Sequence, residues 1–392
     1  MPPRTILFVG NFFFSVFTAL TIYIVLPFLS TFMPEAYAGL VISVGGLIAV
    51  ISFPFLPRLV AHYGAQQLTL IFAITEMITL VALAAVPSGI AGAIFIIIAI
   101  AIQPFISYQL DLLLEAVDVE KDMVGRVRTI FLTAWNLGAL AAPLLLGALL
   151  VNSNDYTRVF IAAAAVLIPF VVLFAARSLP KKAPPKLSHM QDTLVCISHD
   201  NDLAAVTFAH FLLYLFYIWA PIYVPMYLHT VLGIAWSDLG WMFSIMLIPY
   251  ALVEYPAGWA ADRFVGDKTL MFAGFLIAGA ALASFGILTS ASSLTLILII
   301  LVSSRVGAAL IESMTEEHFF RRISEQDINS MSVFRGIWPL ANVIGPIVGS
   351  LILFYGNFQI FFLLTGGFII IAGTVATSFI TNFRPLKDKE CL

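Results

Sequence analysis

Arg305, Glu312 and Glu316 stand in one apolar stretch, spaced so that a cation and two carboxyls share a single helical stripe. At 100° per residue the three fall within about 40° of one another. Arg305 lies roughly 18 Å along such a helix from Ser293 at 1.5 Å per residue, deep between the two edges of a bilayer. Ionised groups there are costly and stand as functional candidates. Three uses are open. The guanidinium can clamp an anionic group. It can tune a proton-carrying Glu312, because burial favours the neutral acid and a nearby Arg favours the carboxylate. Or it can form a static ion pair that fixes helix packing.

Other polar residues fall in apolar runs. Asp111 and Glu115 repeat the four-residue spacing of Glu312 and Glu316 about 200 positions earlier. Glu76 is a solitary carboxyl, suited to proton coupling, to a polar cleft, or to a hydrogen bond made while protonated. Gln103 and Asn136 are further polar groups near mid-span.

The elements that must position these residues are membrane helices. The chain is 61% hydrophobic and 10% charged over 392 residues, with a mean hydropathy of +1.02. A soluble domain carries about 25% charged residues. A hydrocarbon core about 30 Å thick needs about 20 apolar residues per helix. Such spans fall near 6–32, 37–57, 68–87, 90–115, 128–151 and 157–179, then near 203–228, 236–258, 269–289, 293–317, 329–354 and 358–381. Backbone polar groups left unpaired in lipid exclude irregular crossings, and no short alternating segments of a β-barrel occur. The fold class expected is an all-α membrane protein of twelve transmembrane helices in two pseudo-symmetric six-helix bundles. Residues 1–179 form the first bundle, 180–202 a Pro- and Lys-rich cytoplasmic linker, and 203–392 the second.

Internal echoes support duplication. Phe131 to Pro143 and Phe334 to Pro346 share Phe, Trp, Leu and Pro in register, about 203 residues apart. Asn11-Phe12 and Phe17 align with His210-Phe211 and Phe216. Six spans per half is even, so both halves insert with one orientation, as a parallel repeat requires. With twelve spans, Lys and Arg gather on one side, Arg158 lies opposite, and Arg305 and Arg335 sit inside spans. That bias places both termini in the cytoplasm. Cys196 and Cys391 then lie in cytoplasmic segments as free thiols. The first apolar run is too long for a signal core, and the terminal Lys-Glu-Cys-Leu is no prenylation box.

With these features the chain resembles the major facilitator superfamily. The family's loop signature reads Gly, three residues, Asp-Arg, then Gly and basic residues. It appears here as Gly258, Asp262, Arg263, Gly266 and Lys268. Its first-half copy is eroded, with Arg58, His62 and Tyr63 in place of the Gly, Asp and Arg, and Gly64 retained. Gly138, Ala142, Pro143 and Gly147 resemble the antiporter Gly-Pro break of span five, echoed by Gly345, Pro346 and Gly349; ordinary close helix packing explains them equally.

The resemblance implies charge pairs that lock the cytoplasmic helix ends. Glu115, Glu316, Arg128, Arg335, Gly258, Asp262 and Arg263 are expected there, with Arg126, Arg321 and Arg322 as further basic partners. It also implies that spans one and seven line the central cavity, which brings in Asn11, Tyr23, His210, Tyr214 and Tyr217. Packing is the competing account of each. Glu254, beside the loop signature, reads as an interfacial charge.

No phosphate-binding loop, metal-ligand spacing or basic nucleic-acid surface is present, so no enzyme activity, metal or cofactor is expected. The expected function is proton-coupled secondary transport by a monomer in the plasma (inner) membrane, with efflux of amphipathic compounds first. Uptake of a small anionic metabolite, motivated by Arg305, is the alternative. A non-transporting receptor or scaffold is the reading from another class.

Overall fold

The computed structural model describes residues 2–86, 89–117, 124–151, 155–180, 195, 197–323, 333–334 and 336–381. The described residues contain twelve helices long and apolar enough to cross a membrane: α1 (Pro3–Ile22), α2 (Glu35–Tyr63), α3 (Ala65–Ala85), α4 (Gly89–Ala116), α5 (Val127–Leu149), α6 (Thr157–Ala176), α7 (Asn201–Val231), α8 (Trp236–Val265), α9 (Asp267–Phe285), α10 (Leu294–Arg322), α11 (Ile337–Tyr355) and α12 (Phe358–Phe379). No strand occurs among them. The all-helical architecture and the twelve spans match the sequence expectation. The linker residues 181–194, Cys196, Cys391, Arg335, and the side chain of Arg126 lie outside the described set.

The boundaries shift where backbone chemistry dictates. The first span was expected to run to residue 32, but α1 stops at Ile22 and a separate short helix occupies Val25–Leu29. Pro27 lacks the N–H that a continuous helix would need there. The second span runs past 57 to Tyr63, because Pro54 is absorbed in a 3-10 turn at Phe53–Phe55. The eighth runs past 258 in a π-helical turn at Ala261–Val265. The loop signature is therefore the last turns of α8 and the turn after it.

Both copies of that signature end in the same conformation. Gly64 has φ 83° and ψ 149°, and Gly266 has φ 84° and ψ 154°. Side chains disfavour this region, which explains why glycine persists in a copy that has lost its charges. On the opposite side, Ser293 and Asn357 cap α10 and α12 by accepting from the backbone N–H of Leu296 (3.2 Å) and Ile360 (2.9 Å), satisfying donors that a helix start leaves open.

The chain forms two compact units. One comprises Met1–Lys186, Pro221–Ile245 and Asn342–Phe354; the other comprises Leu187–Ala220, Met246–Ala341 and Tyr355–Leu392. In the first, α1 packs on α5 and α6, α3 on α4 and α6, and α2 on α4. The segments from α7, α8 and α11 join this unit through small residues and aromatic rings. A Cβ on Gly240 would lie 2.7 Å from the Pro143 carbonyl oxygen, and Tyr23 stacks on Phe243 with centroids 5.2 Å apart. In the second unit α9 packs on α10 and α12, and α8 on α10. Gly274 and Gly307 bring α9 and α10 close, since a Cβ on Gly274 would lie 2.9 Å from the Gly307 carbonyl oxygen. Close backbone approach of this kind stabilises helix pairs in lipid.

Candidate functional site

Where α7 meets α10, the second unit holds a buried cation, Arg305, and a carboxyl, Glu312. Arg305 is 3% exposed. Its guanidinium carbon lies 5.3 Å from the ring centroid of Phe216, which is fully buried. No hydrogen bond or ion pair joins Arg305 to a described residue, and its Nε is buried without a partner. The cation–π contact contributes about 0.5–2 kcal/mol. An unpaired buried charge costs several kcal/mol, so the ring alone does not offset it.

Glu312 meets a different partner. Tyr217 donates its hydroxyl to Glu312 Oε2 at 2.6 Å, and Tyr217 is also hydrogen-bonded to Tyr250, their rings 6.2 Å apart. Glu254 and Glu316 lie within electrostatic reach of the same carboxyl. The stripe drawn from the sequence holds, yet Arg305 and Glu312 form no ion pair. In place of the Arg305–Glu312 pair that one reading required, the cation lies on a ring and the acid accepts from one phenol, that of Tyr217. Glu254, read from sequence as an interfacial charge, joins the acidic group because α8 packs directly on α10.

His210 and Tyr214 flank this site on α7. His210 is buried, faces the Thr315 hydroxyl at 3.2 Å through Nδ1 and stacks on Phe334 at 3.8 Å. Tyr214 packs edge-on against Trp338 at 5.2 Å. These contacts are interhelical packing.

The first unit treats its candidates differently. Asn11 is buried and donates its amide to the Phe131 carbonyl at 2.8 Å. Gln103 donates to the Thr21 hydroxyl at 3.2 Å. Both join helices. Glu76 is fully buried and neither carboxyl oxygen has a hydrogen-bond partner. Gln109 on α4, which the sequence did not single out, is equally buried with an unpartnered amide. Asn136 is exposed and Asp111 half-buried, and neither is hydrogen-bonded to a described residue.

At the helix ends, Glu115, Glu316 and Arg128 are exposed. Arg128 forms no ion pair with a described residue. Arg321 pairs with Asp262 at 2.5 Å and with Glu317, and Arg263 lies over Trp259 at 5.3 Å. Gly258 has no atom within 4 Å of where a Cβ would stand. Arg335 falls outside the described residues. Among the described residues no group of three His, Cys, Asp or Glu could hold a metal.

Residues 206–390 match the family model of the Major Facilitator Superfamily. The whole chain superposes on solved transporters of that fold at low identity. A POT family transporter in complex with a thioalcohol-conjugated peptide aligns with TM-score 0.78 and 14% identity, covering 96% of this chain and 95% of that one. The nucleoside transporter NupG aligns with TM-score 0.75 and 15% identity, covering 97% and 99%. The POT family transporter PepTSo aligns with TM-score 0.72 and 14% identity, covering 96% and 97%. None of the curated proteins compared matches the sequence. The fold is the major facilitator fold, and twelve helices among the described residues are long and apolar enough to cross a membrane.

Proposed function

We propose that the protein is a secondary transporter of small organic anions, working by alternating access, and that Arg305 holds the anionic group of the substrate. One observation carries this reading: a buried guanidinium with a ring beneath it and no counter-ion among the described residues. An arriving carboxylate or phosphate supplies the missing charge and charge-assisted hydrogen bonds. Tyr217, Tyr250 and Glu312 form a hydrogen-bonding group on the same pair of helices, α7 and α10, together with neighbouring α8. Proton coupling belongs to this reading through Glu312, whose carboxyl can give up or take a proton as Tyr217 rearranges. Both termini are cytoplasmic and the unit is a monomer.

Efflux of amphipathic compounds is the second reading. The aromatic rings of Phe216, Tyr214, Trp338 and Tyr250, with the glycines and Pro143 of α5, support it. A thermal-shift screen of the purified chain with carboxylates, phosphates, organic cations and neutral amphipaths separates the two. We expect stabilisation by anions, lost in Arg305→Gln and partly kept in Arg305→Lys. Truncating one partner of a buried charge pair costs about 2–5 kcal/mol, so affinity should fall at least about thirty-fold. Stabilisation by organic cations that survives Arg305→Gln would overturn the anion reading in favour of efflux. A response to no ligand class, with Arg305→Gln folded as before, would favour a scaffold.

A further inference from the structure

Four helix ends of the second unit converge on one histidine that the transport site does not use. His318, one turn before the end of α10, is fully buried. Its Nδ1 faces Asp267 Oδ2 at 2.5 Å and its Nε2 faces Asp202 Oδ2 at 3.2 Å. Asp267 opens α9 and is itself fully buried; Asp202 lies in the first turn of α7 and is 5% exposed. Asp202 also accepts from the Arg322 guanidinium, from the Thr381 backbone N–H at 2.9 Å and from the Thr381 hydroxyl at 2.7 Å. Thr381 follows the end of α12, so the chain there is tied to the start of α7.

Other charged side chains among the described residues of the packed elements have contacts of their own. On α9, Lys268 gives its backbone N–H to Asp267 Oδ1 at 2.8 Å and its ammonium to the Ser378 carbonyl at 3.2 Å. On α10, Arg321 engages Glu317 and also Asp262 at the end of α8, where Arg263 lies over Trp259. Before α7, Asp200 accepts from the backbone N–H of Asp202 and Leu203. The described residues of α12 bring no charge.

Carboxylate oxygens only accept hydrogen bonds, and a neutral imidazole has one donor and one acceptor nitrogen. Between two carboxylates, a neutral ring would set lone pair against lone pair on one side. Each aspartate lies in the first turn of a helix, where the macrodipole stabilises negative charge, and each accepts from further donors. An imidazolium supplies a donor to each of the two carboxylates.

We propose that His318 carries a proton on each ring nitrogen and acts as a proton-operated clasp joining the first turns of α7 and α9, the last turn of α10 and the end of α12. Loss of one proton turns one of the two contacts into facing acceptors. Alkalinisation at this end of the bundle then loosens α10 from α7 or α9 with no change of substrate. The clasp is independent of what Arg305 binds.

The test uses the full chain, labelled with ¹⁵N at its six histidines, in detergent at pH 7.5. We expect one signal with two protonated-type nitrogens, absent in His318→Gln. In Asp267→Asn the amide can donate to the ring, so that signal should change to a neutral tautomer. Should His318→Gln fail to accumulate, the signal altered in Asp267→Asn identifies the residue. The unfolding midpoint of the wild type should fall by about 3 °C or more between pH 7 and 9, and that of Asp267→Asn should stay flat over the same range. A neutral His318 in the folded wild type at pH 7.5, or equal pH responses of the two proteins, would overturn the clasp.

Discussion

The same pair of positions joins helices in each half, by different means. In the first half Asn11 and Ser15 of α1 donate to the carbonyls of Phe131 (2.8 Å) and Trp135 (2.6 Å) on α5. In the second, His210 and Tyr214 of α7 meet the rings of Phe334 (3.8 Å) and Trp338 (5.2 Å), just before and on α11. The echoes in the sequence mark where these helices touch, and they leave open what the touching groups do. Hydrogen bonds to backbone draw α1 and α5 close, and Gly138 fits that approach. Its counterpart about 203 residues on, Ala341, keeps a methyl and is fully buried. A duplicated scaffold can thus hold its contact geometry while one half turns to aromatic stacking.

Three pairs of substitutions strain that contrast. The largest effect belongs to Gly138→Ala. A Cβ there would lie 2.5 Å from the Phe12 carbonyl oxygen and 2.8 Å from the Ser15 Cβ, so backbone must move, at about 2 kcal/mol. Ala341→Gly loses only a methyl, about 1 kcal/mol. Thermal unfolding of both purified variants checks this, and equal losses would end the claim that the first interface is the tighter one. Next are two acids inside the spans, Glu76 buried and Glu312 half-buried. Glu76 has no hydrogen-bond partner among the described residues, whereas Glu312 holds Tyr217. Glu76→Met should therefore raise stability by about 1–2 kcal/mol, and Glu312→Met should lower it by a similar amount as the phenol loses its acceptor. A destabilised Glu76→Met would show that its carboxyl is bonded in solution. Smallest is the exchange at the echo itself. Asn11→Ala should cost about 1 kcal/mol, and His210→Phe less than about 0.5 kcal/mol because the stack on Phe334 survives. Denaturation midpoints that reverse this order would refute the assignment of polar joining to one half and stacking to the other.

Much of the architecture was legible because lipid leaves few solutions. Twelve apolar runs of sufficient length gave twelve helices, and the one residue kept in the eroded signature, Gly64, proved to be the one its backbone requires. The candidate site was legible in part. The stripe of Arg305 and Glu312 follows from helical period alone, but a side chain's partner on another helix does not. Tyr217 reaches Glu312 from 95 positions away, and nothing in the spacing distinguishes it from the other tyrosines of α7. Asp202, Asp267 and His318 do not stand out in the sequence, for a related reason. Each lies at a span boundary, where a charged residue is expected to face water, and only the packing of four helix ends buries them.

Tyr223 carries a last consequence. Its phenol reaches the Pro346 carbonyl at 3.4 Å and fills the space beside Gly349, while a Cβ on Gly39 would lie 3.0 Å from its oxygen. Lineages of this protein should therefore vary these sites jointly: an alanine at 349 demands a shorter side chain at 223, and a full phenol at 223 demands hydrogen alone at 349. Alignments of diverging orthologues will carry that record as a correlated exchange between positions more than a hundred residues apart.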